Sequence, residues 1–181
     1  MMVFDPFISL YVRTAFALLF ILAAMHKLRN VSEFADIVKG YNIVPLWAVA
    51  GVGIILPLFE AFVAAMLLLF PVVGIAAASA LLTAYGLVIA FNIARGNTQI
   101  DCGCSWGRAK TAFPALTWAL VLRNILLVIV LAISLVPTTA RAFGLMDAAT
   151  LGLVLCFTFF AGKAGFTLVA VYNRMREVGH V

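Results

Sequence analysis

Pro57-Leu58-Phe59-Glu60-Ala61-Phe62-Val63-Ala64-Ala65-Met66-Leu67-Leu68-Leu69-Phe70-Pro71-Val72 is the stretch on which the fold turns. It sits inside an apolar run from Pro45 to Ala94 that is too long for one bilayer crossing, since about 20 helical residues span a hydrocarbon core of about 30 Å. Pro71 lacks the backbone N–H that a continuing helix needs, and it disfavours helical geometry in Phe70 before it. The run must break there. Its halves, 45–70 and 72–94, are expected to turn back at once as a tight helical hairpin, with the Glu60 carboxylate inside the first.

The rest of the chain has the same character. Of 181 residues, 66% are hydrophobic and 10% are charged, with a mean hydropathy of +1.18, far outside the range of soluble domains. Three more apolar runs, 7–25, 112–136 and 148–171, bring the expected spans to five. The chain reads as an all-α integral membrane protein, one membrane domain over 1–181, with no room for a soluble domain. Met1-Met2-Val3-Phe4-Asp5-Pro6 lacks the basic start of a cleavable signal peptide, and Arg13 interrupts the first run, so that helix is expected to be retained. Pairs of small residues, Ala61 and Ala65, Ala76 and Ala80, Ala161 and Gly165, offer places for close helix approach.

The connections carry the polar residues. After His26-Lys27-Leu28-Arg29, Asn30 and Glu33 have the spacing of a capping box, and Val31, Phe34, Ile37, Val38 and Tyr41 recur at helical spacing. A short helix follows, either lying in the membrane interface or packed on the bundle. The segment Gly96-Asn97-Thr98-Gln99-Ile100-Asp101-Cys102-Gly103-Cys104-Ser105-Trp106-Gly107-Arg108 forms a polar loop, 95–111, between the third and fourth runs. The tail from Asn173 is polar and expected to fray. Lys27, Arg29, Lys39, Arg95, Arg108, Lys110, Arg174 and Arg176 fall on one face and Arg141 alone on the other. The net charge of +5 is therefore read as topology and not as a nucleic-acid interface: the N-terminus lies outside and the loop at the cytoplasmic end. Trp47, Trp106 and Trp118 near that end agree with an interfacial belt.

Two groups of residues could carry chemistry. Cys102 and Cys104 are separated by one glycine, and a disulfide closing so small a ring is readily reduced, which suits exchange better than permanent stapling. An inert pair, a static disulfide and half of a metal site are the alternatives. No metal is expected: a closed zinc site needs about four ligands, and beyond Cys156 the chain offers only His26 and His180. Cys156 reads as a small packing residue. The second group is charged. Counted from the cytoplasmic helix ends at about 1.5 Å per residue, Arg13, Glu60 and Arg123 lie about 21, 22 and 17 Å deep. The expectation is a buried cluster in which Glu60 neutralises Arg13, Arg123 or both, with Asn124 and carbonyls freed by Pro57 adding hydrogen bonds. Its role is either functional or confined to fixing the helices. Lys163 lies closer to the interface and can snorkel.

Arg13, the His26-Lys27-Leu28 stop, Tyr41-Asn42-Ile43-Val44-Pro45 before the helix with Glu60, and Asp101-Cys102-Gly103-Cys104 before the helix with Arg123-Asn124 together resemble the MauE family, DoxX-like membrane proteins of methylamine utilisation. The resemblance covers roughly residues 8–130. It implies a DoxX-like helical bundle with an added C-terminal helix, in the bacterial inner membrane with a periplasmic N-terminus. It also implies maturation of the small subunit of methylamine dehydrogenase beside a thioredoxin-like, MauD-type partner, with Cys102 and Cys104 as the exchange pair and no cofactor of the protein's own. Client disulfides form outside, whereas the charge bias places the pair inside. A relay across the membrane, a re-entrant loop or a different span count would each reconcile them.

Two other classes compete with this redox reading. A non-enzymatic scaffold or export factor that recruits the partner or client would tolerate loss of the cysteines. A small-solute transporter is disfavoured by the short chain and the lack of repeated halves.

Overall fold

The computed structural model describes residues 5–98, 116–136 and 144–178, the side chains of Lys163 and of 165–178 excepted. The described residues form six helices: α1 (Pro6–Arg29), α2 (Val31–Gly40), α3 (Leu46–Leu69), α4 (Pro71–Ala94), α5 (Trp118–Ile133) and α6 (Leu145–Val178). Four of them, α1, α3, α4 and the Leu145–Gly162 part of α6, are long and apolar enough to cross a membrane. The protein is an all-helical, multi-pass membrane protein. The fourth expected span, 112–136, is shorter than its apolar run, because Leu116 and Thr117 lie outside α5 and the Leu116 N–H bonds to the Thr98 carbonyl at 2.7 Å.

Local chemistry sets the helix ends. Asp5 caps α1 by accepting from the Phe7 N–H at 2.9 Å, and Pro6 occupies the first turn, where no N–H is missed. The α3–α4 hairpin turns on one residue: Phe70 ends α3 and precedes Pro71 in a non-helical conformation, φ −131°, ψ 78°. So short a turn brings the helix backbones together. A Cβ on Gly74 would come to 2.5 Å from Leu67 Cα and the Met66 carbonyl carbon. Close approach thus falls at Gly74, with Ala64 and Ala78 buried nearby, and not at Ala65, Ala76 and Ala80, which are exposed.

The main core joins α1, α3, α4 and α5. Val12, Phe16, Ala17 and Phe20 share it with Val63, Ala64, Leu67, Ile75, Ala78, Leu81, Leu82 and Leu131. The short helix α2 packs on the bundle, where Phe34 and Val38 meet Val49, backed by Val52 and Leu56. Ala35 lies 3.5 Å from where a Gly53 Cβ would stand. Asn30 does cap α2 in position, but its side chain makes no capping bond, so the expected capping box does not form. At the other end of the chain, α6 continues as helix to Val178 instead of fraying from Asn173.

Because α2 lies along the first turns of α3, α1 stops well short of the α3 N-terminus. Its last turn is level with the middle of α3, and this offset decides which charges meet.

Candidate functional site

At that level, Lys27 and Glu60 form an ion pair, with side chains 5% and 1% exposed. Tyr85, from α4, also donates its hydroxyl to Glu60. Both donors converge on Oε1, while Oε2 is buried without a hydrogen-bond partner among the described residues. Two rings complete the surroundings of the ammonium: Phe34 of α2, with its centroid 5.0 Å from Nζ, and Tyr85 at 5.1 Å. An ammonium facing aromatic faces gains electrostatically from the ring quadrupole. The arrangement ties α1, α2, α3 and α4 at one point and gives the ammonium and Oε1 fixed partners.

Glu60 is therefore neutralised by Lys27 and not by Arg13 or Arg123. The depth count took α1 and α3 to end level, and α2 breaks that premise. Arg13 lies nearer the opposite end, where its Nε donates to the Ser9 carbonyl at 3.3 Å. Arg123 is exposed, whereas Asn124 is buried at 3% and donates to the Leu120 carbonyl at 2.8 Å. Successive helical residues point about 100° apart, so burying Asn124 against Gly86, whose added Cβ would lie 3.5 Å from the Asn124 Cβ, turns Arg123 outward. Cys156 is a free, exposed thiol on α6, which does not fit an expected packing role inside the bundle.

Cys102 and Cys104 lie outside the described residues, as does Trp106; Thr98 before them and Leu116 after them do not. On the α4 side, Gly96 has φ +76°, its N–H bonds to the Ile93 carbonyl at 3.0 Å, and the Asn97 N–H bonds to the Asn92 carbonyl at 3.0 Å. This is a Schellman cap, in which a left-handed glycine lets the chain reverse over the last carbonyls. Reversal delivers the Asn97 side chain to two acceptors, the Gly40 carbonyl at the end of α2 and Asn92 Oδ1, both at 3.1 Å. Asn92 is fully buried and donates its own amide to the Val88 carbonyl at 3.0 Å. The Leu116 N–H to Thr98 carbonyl bond then joins the residues on either side of 99–115. Beneath this neck, Ile89 and Leu116 pack with Tyr41, Ile93, Leu120 and Val121. Sequence reasoning missed Asn92 and Asn97, although a glycine just past a helix was a readable signal for the cap. It also assigned Lys27 to a helix stop and missed Tyr85. No cluster of His, Cys, Asp and Glu that could hold a metal ion occurs among the described residues.

These features define a polytopic helical membrane protein with a charged pair buried in its bundle and a backbone hydrogen bond that joins Thr98, after α4, to Leu116, before α5. Comparison narrows the class. The family model for methylamine utilisation protein MauE matches residues 5–137, which takes in α1 to α5 and the positions of Cys102 and Cys104 and leaves α6 outside. The MauE protein of Paracoccus versutus is 37% identical over 165 residues, 88% of this chain and 87% of the relative. That of Paracoccus denitrificans is 41% identical over 125 residues, 68% of this chain and 66% of the relative, and that of Methylorubrum extorquens 36% over 123 residues, 66% and 64%. The chain belongs to the MauE family of methylamine utilisation proteins. No solved structure matches it.

Proposed function

We propose that the protein serves methylamine utilisation by helping to mature the small subunit of methylamine dehydrogenase, through thiol–disulfide exchange at Cys102 and Cys104 with a thioredoxin-like protein of the MauD type. Membership of the MauE family supports the pathway. The observation that carries the reading to the loop is its joined base, the 2.7 Å bond from the Leu116 N–H to the Thr98 carbonyl, which holds the ends of a short polar segment together at one end of the bundle.

The exchange balances within the two proteins. A thiolate of the reduced pair attacks one sulfur of the partner's disulfide, forming a mixed disulfide and releasing the partner's second thiolate, which takes up a proton. The other cysteine of the pair then attacks the mixed bond, leaving Cys102 and Cys104 joined and the partner a dithiol, with two electrons transferred. The reverse sequence reduces the pair. The setting is the bacterial inner membrane, with a periplasmic N-terminus.

Thiol trapping in intact cells tests the reading. A membrane-impermeant alkylating reagent, applied with and without prior reduction, reads Cys102 and Cys104 apart from Cys156 and reports their side of the membrane. The expected result is a reducible disulfide, or a mixed disulfide with a thioredoxin-like protein. Cys102→Ser and Cys104→Ser are expected to abolish client maturation at unchanged protein level, with Cys156→Ser tolerated. Free thiols under every condition, together with normal maturation in the serine variants, would replace exchange with a scaffold that recruits the partner or client.

A further inference from the structure

We infer that Asn97, held in place by Asn92, is a positioning residue that seats the base of the cysteine loop on the C-terminal end of α2. The inference rests on the proposed exchange at Cys102 and Cys104 for its purpose, while its geometry stands on residues outside the loop.

Three observations converge on Asn97. Its side-chain amide donates both to the Gly40 carbonyl and to Asn92 Oδ1, at 3.1 Å each, so one group bridges α2 to α4 across 57 residues of sequence. The orientation of Asn92 is fixed independently, because its amide faces the Val88 carbonyl and leaves only the oxygen to face Asn97. The backbone is fixed as well: the Schellman cap at Gly96 determines where Asn97 emerges. A fully buried asparagine in an apolar helix is costly unless its amide is hydrogen-bonded. At Asn92 the cost is offset by the bond to Val88 and by the bond from Asn97, which turns the Asn97 side chain toward α2.

The platform is itself anchored. At one end of α2, Phe34 faces the Lys27 ammonium; at the other, the Gly40 carbonyl receives Asn97. Cys102 lies five positions and Cys104 seven positions beyond Asn97, so even a fully extended chain keeps them within about 18 and about 25 Å of this anchor. Fixing one end of a reactive segment limits the volume its thiols explore, and misplacing a reacting group by about 1 Å can slow a reaction by about a hundredfold.

The test uses the full chain in membranes. Asn97→Asp keeps the shape and removes the donor, and Asn97→Ala removes the group. Ser9→Ala serves as a control, since it deletes a 3.2 Å hydrogen bond to the Ser134 carbonyl at the opposite end of the bundle. Two quantities are read: the alkylation rate of the reduced pair with its thiol–disulfide equilibrium in a glutathione buffer, and the mobility of a spin label on Cys104 in a chain also carrying Cys102→Ser and Cys156→Ser. Both Asn97 variants are expected to mobilise the label and to change the alkylation rate or equilibrium by about tenfold, with Ser9→Ala changing neither. Unchanged mobility overturns the seat. Increased mobility with unaltered thiol chemistry overturns the positioning role and leaves Asn97 a structural residue. If the unsubstituted pair never forms a disulfide, the exchange reading fails, and label mobility still decides whether Asn97 seats the loop.

Discussion

Lys27, in the last turn of α1, forms its ion pair with Glu60 in the middle of α3, 33 residues away, because α2 fills the length of α3 that α1 leaves uncovered. Neither charge has water to fall back on, so the two depend on one another. Removing one partner of a buried pair strands the other, at about 3–5 kcal/mol, whereas replacing both with apolar groups is often neutral. Lys27→Met and Glu60→Leu are each expected to destabilise by that amount and the double variant by much less. Reversible unfolding in mixed detergent micelles provides the measurement; additive losses would show that the two charges do not act as a pair.

The Tyr85 hydroxyl donates to the Glu60 carboxylate. Hydrogen bonds to charged groups contribute about 1.5–3 kcal/mol, and Tyr85→Phe keeps the ring that faces Lys27. The expected loss lies in that range in the parent chain and is smaller beside Glu60→Leu. An equal loss in both backgrounds would assign the hydroxyl to a different partner.

Two glycines in one hairpin should respond with opposite signs. At Gly74 a methyl group meets the α3 backbone, which cannot move aside as a flexible side chain would, whereas a Cβ at Gly51 has nothing within 4 Å. Gly74→Ala is expected to open the α3–α4 turn and cost more than the roughly 1–3 kcal/mol of ordinary overpacking. Gly51→Ala should gain about 0.5–1 kcal/mol of helix stability. Thermal unfolding of the two purified variants discriminates; a tolerated Gly74→Ala would mean that the helices are not held this close.

Gly96 separates conformation from contact, since an added Cβ there touches nothing within 4 Å yet the residue has φ +76°. Gly96→Ala should cost about 1–2 kcal/mol through backbone strain alone. The loss should appear as faster hydrogen exchange at the Asn97 amide, which bonds across the cap, with the α3–α4 hairpin unaffected. Unchanged protection at Asn97 would argue against the Schellman geometry.

Much of this was legible in the chain. A helix satisfies its own backbone, so apolar runs of spanning length can be read one at a time, and Pro71 marks the hairpin turn without reference to anything distant. The Cys102-Gly103-Cys104 motif is likewise local, as is the glycine cap before it. Which charges meet is not local. The depth of Lys27 and Arg13 against Glu60 depends on where α1 stops along α3, and that is set by Phe34 and Val38 packing on Val49. The same limit applies to Arg123 and Asn124: adjacent on one helix, they are told apart only by which side Gly86 covers. Sequence by itself determined the helices and the α3–α4 hairpin, because these follow from interactions within a few residues. Only the tertiary structure decided the Lys27–Glu60–Tyr85 cluster and the Asn92–Asn97–Gly40 anchor, because each joins helices whose relative register no single segment encodes.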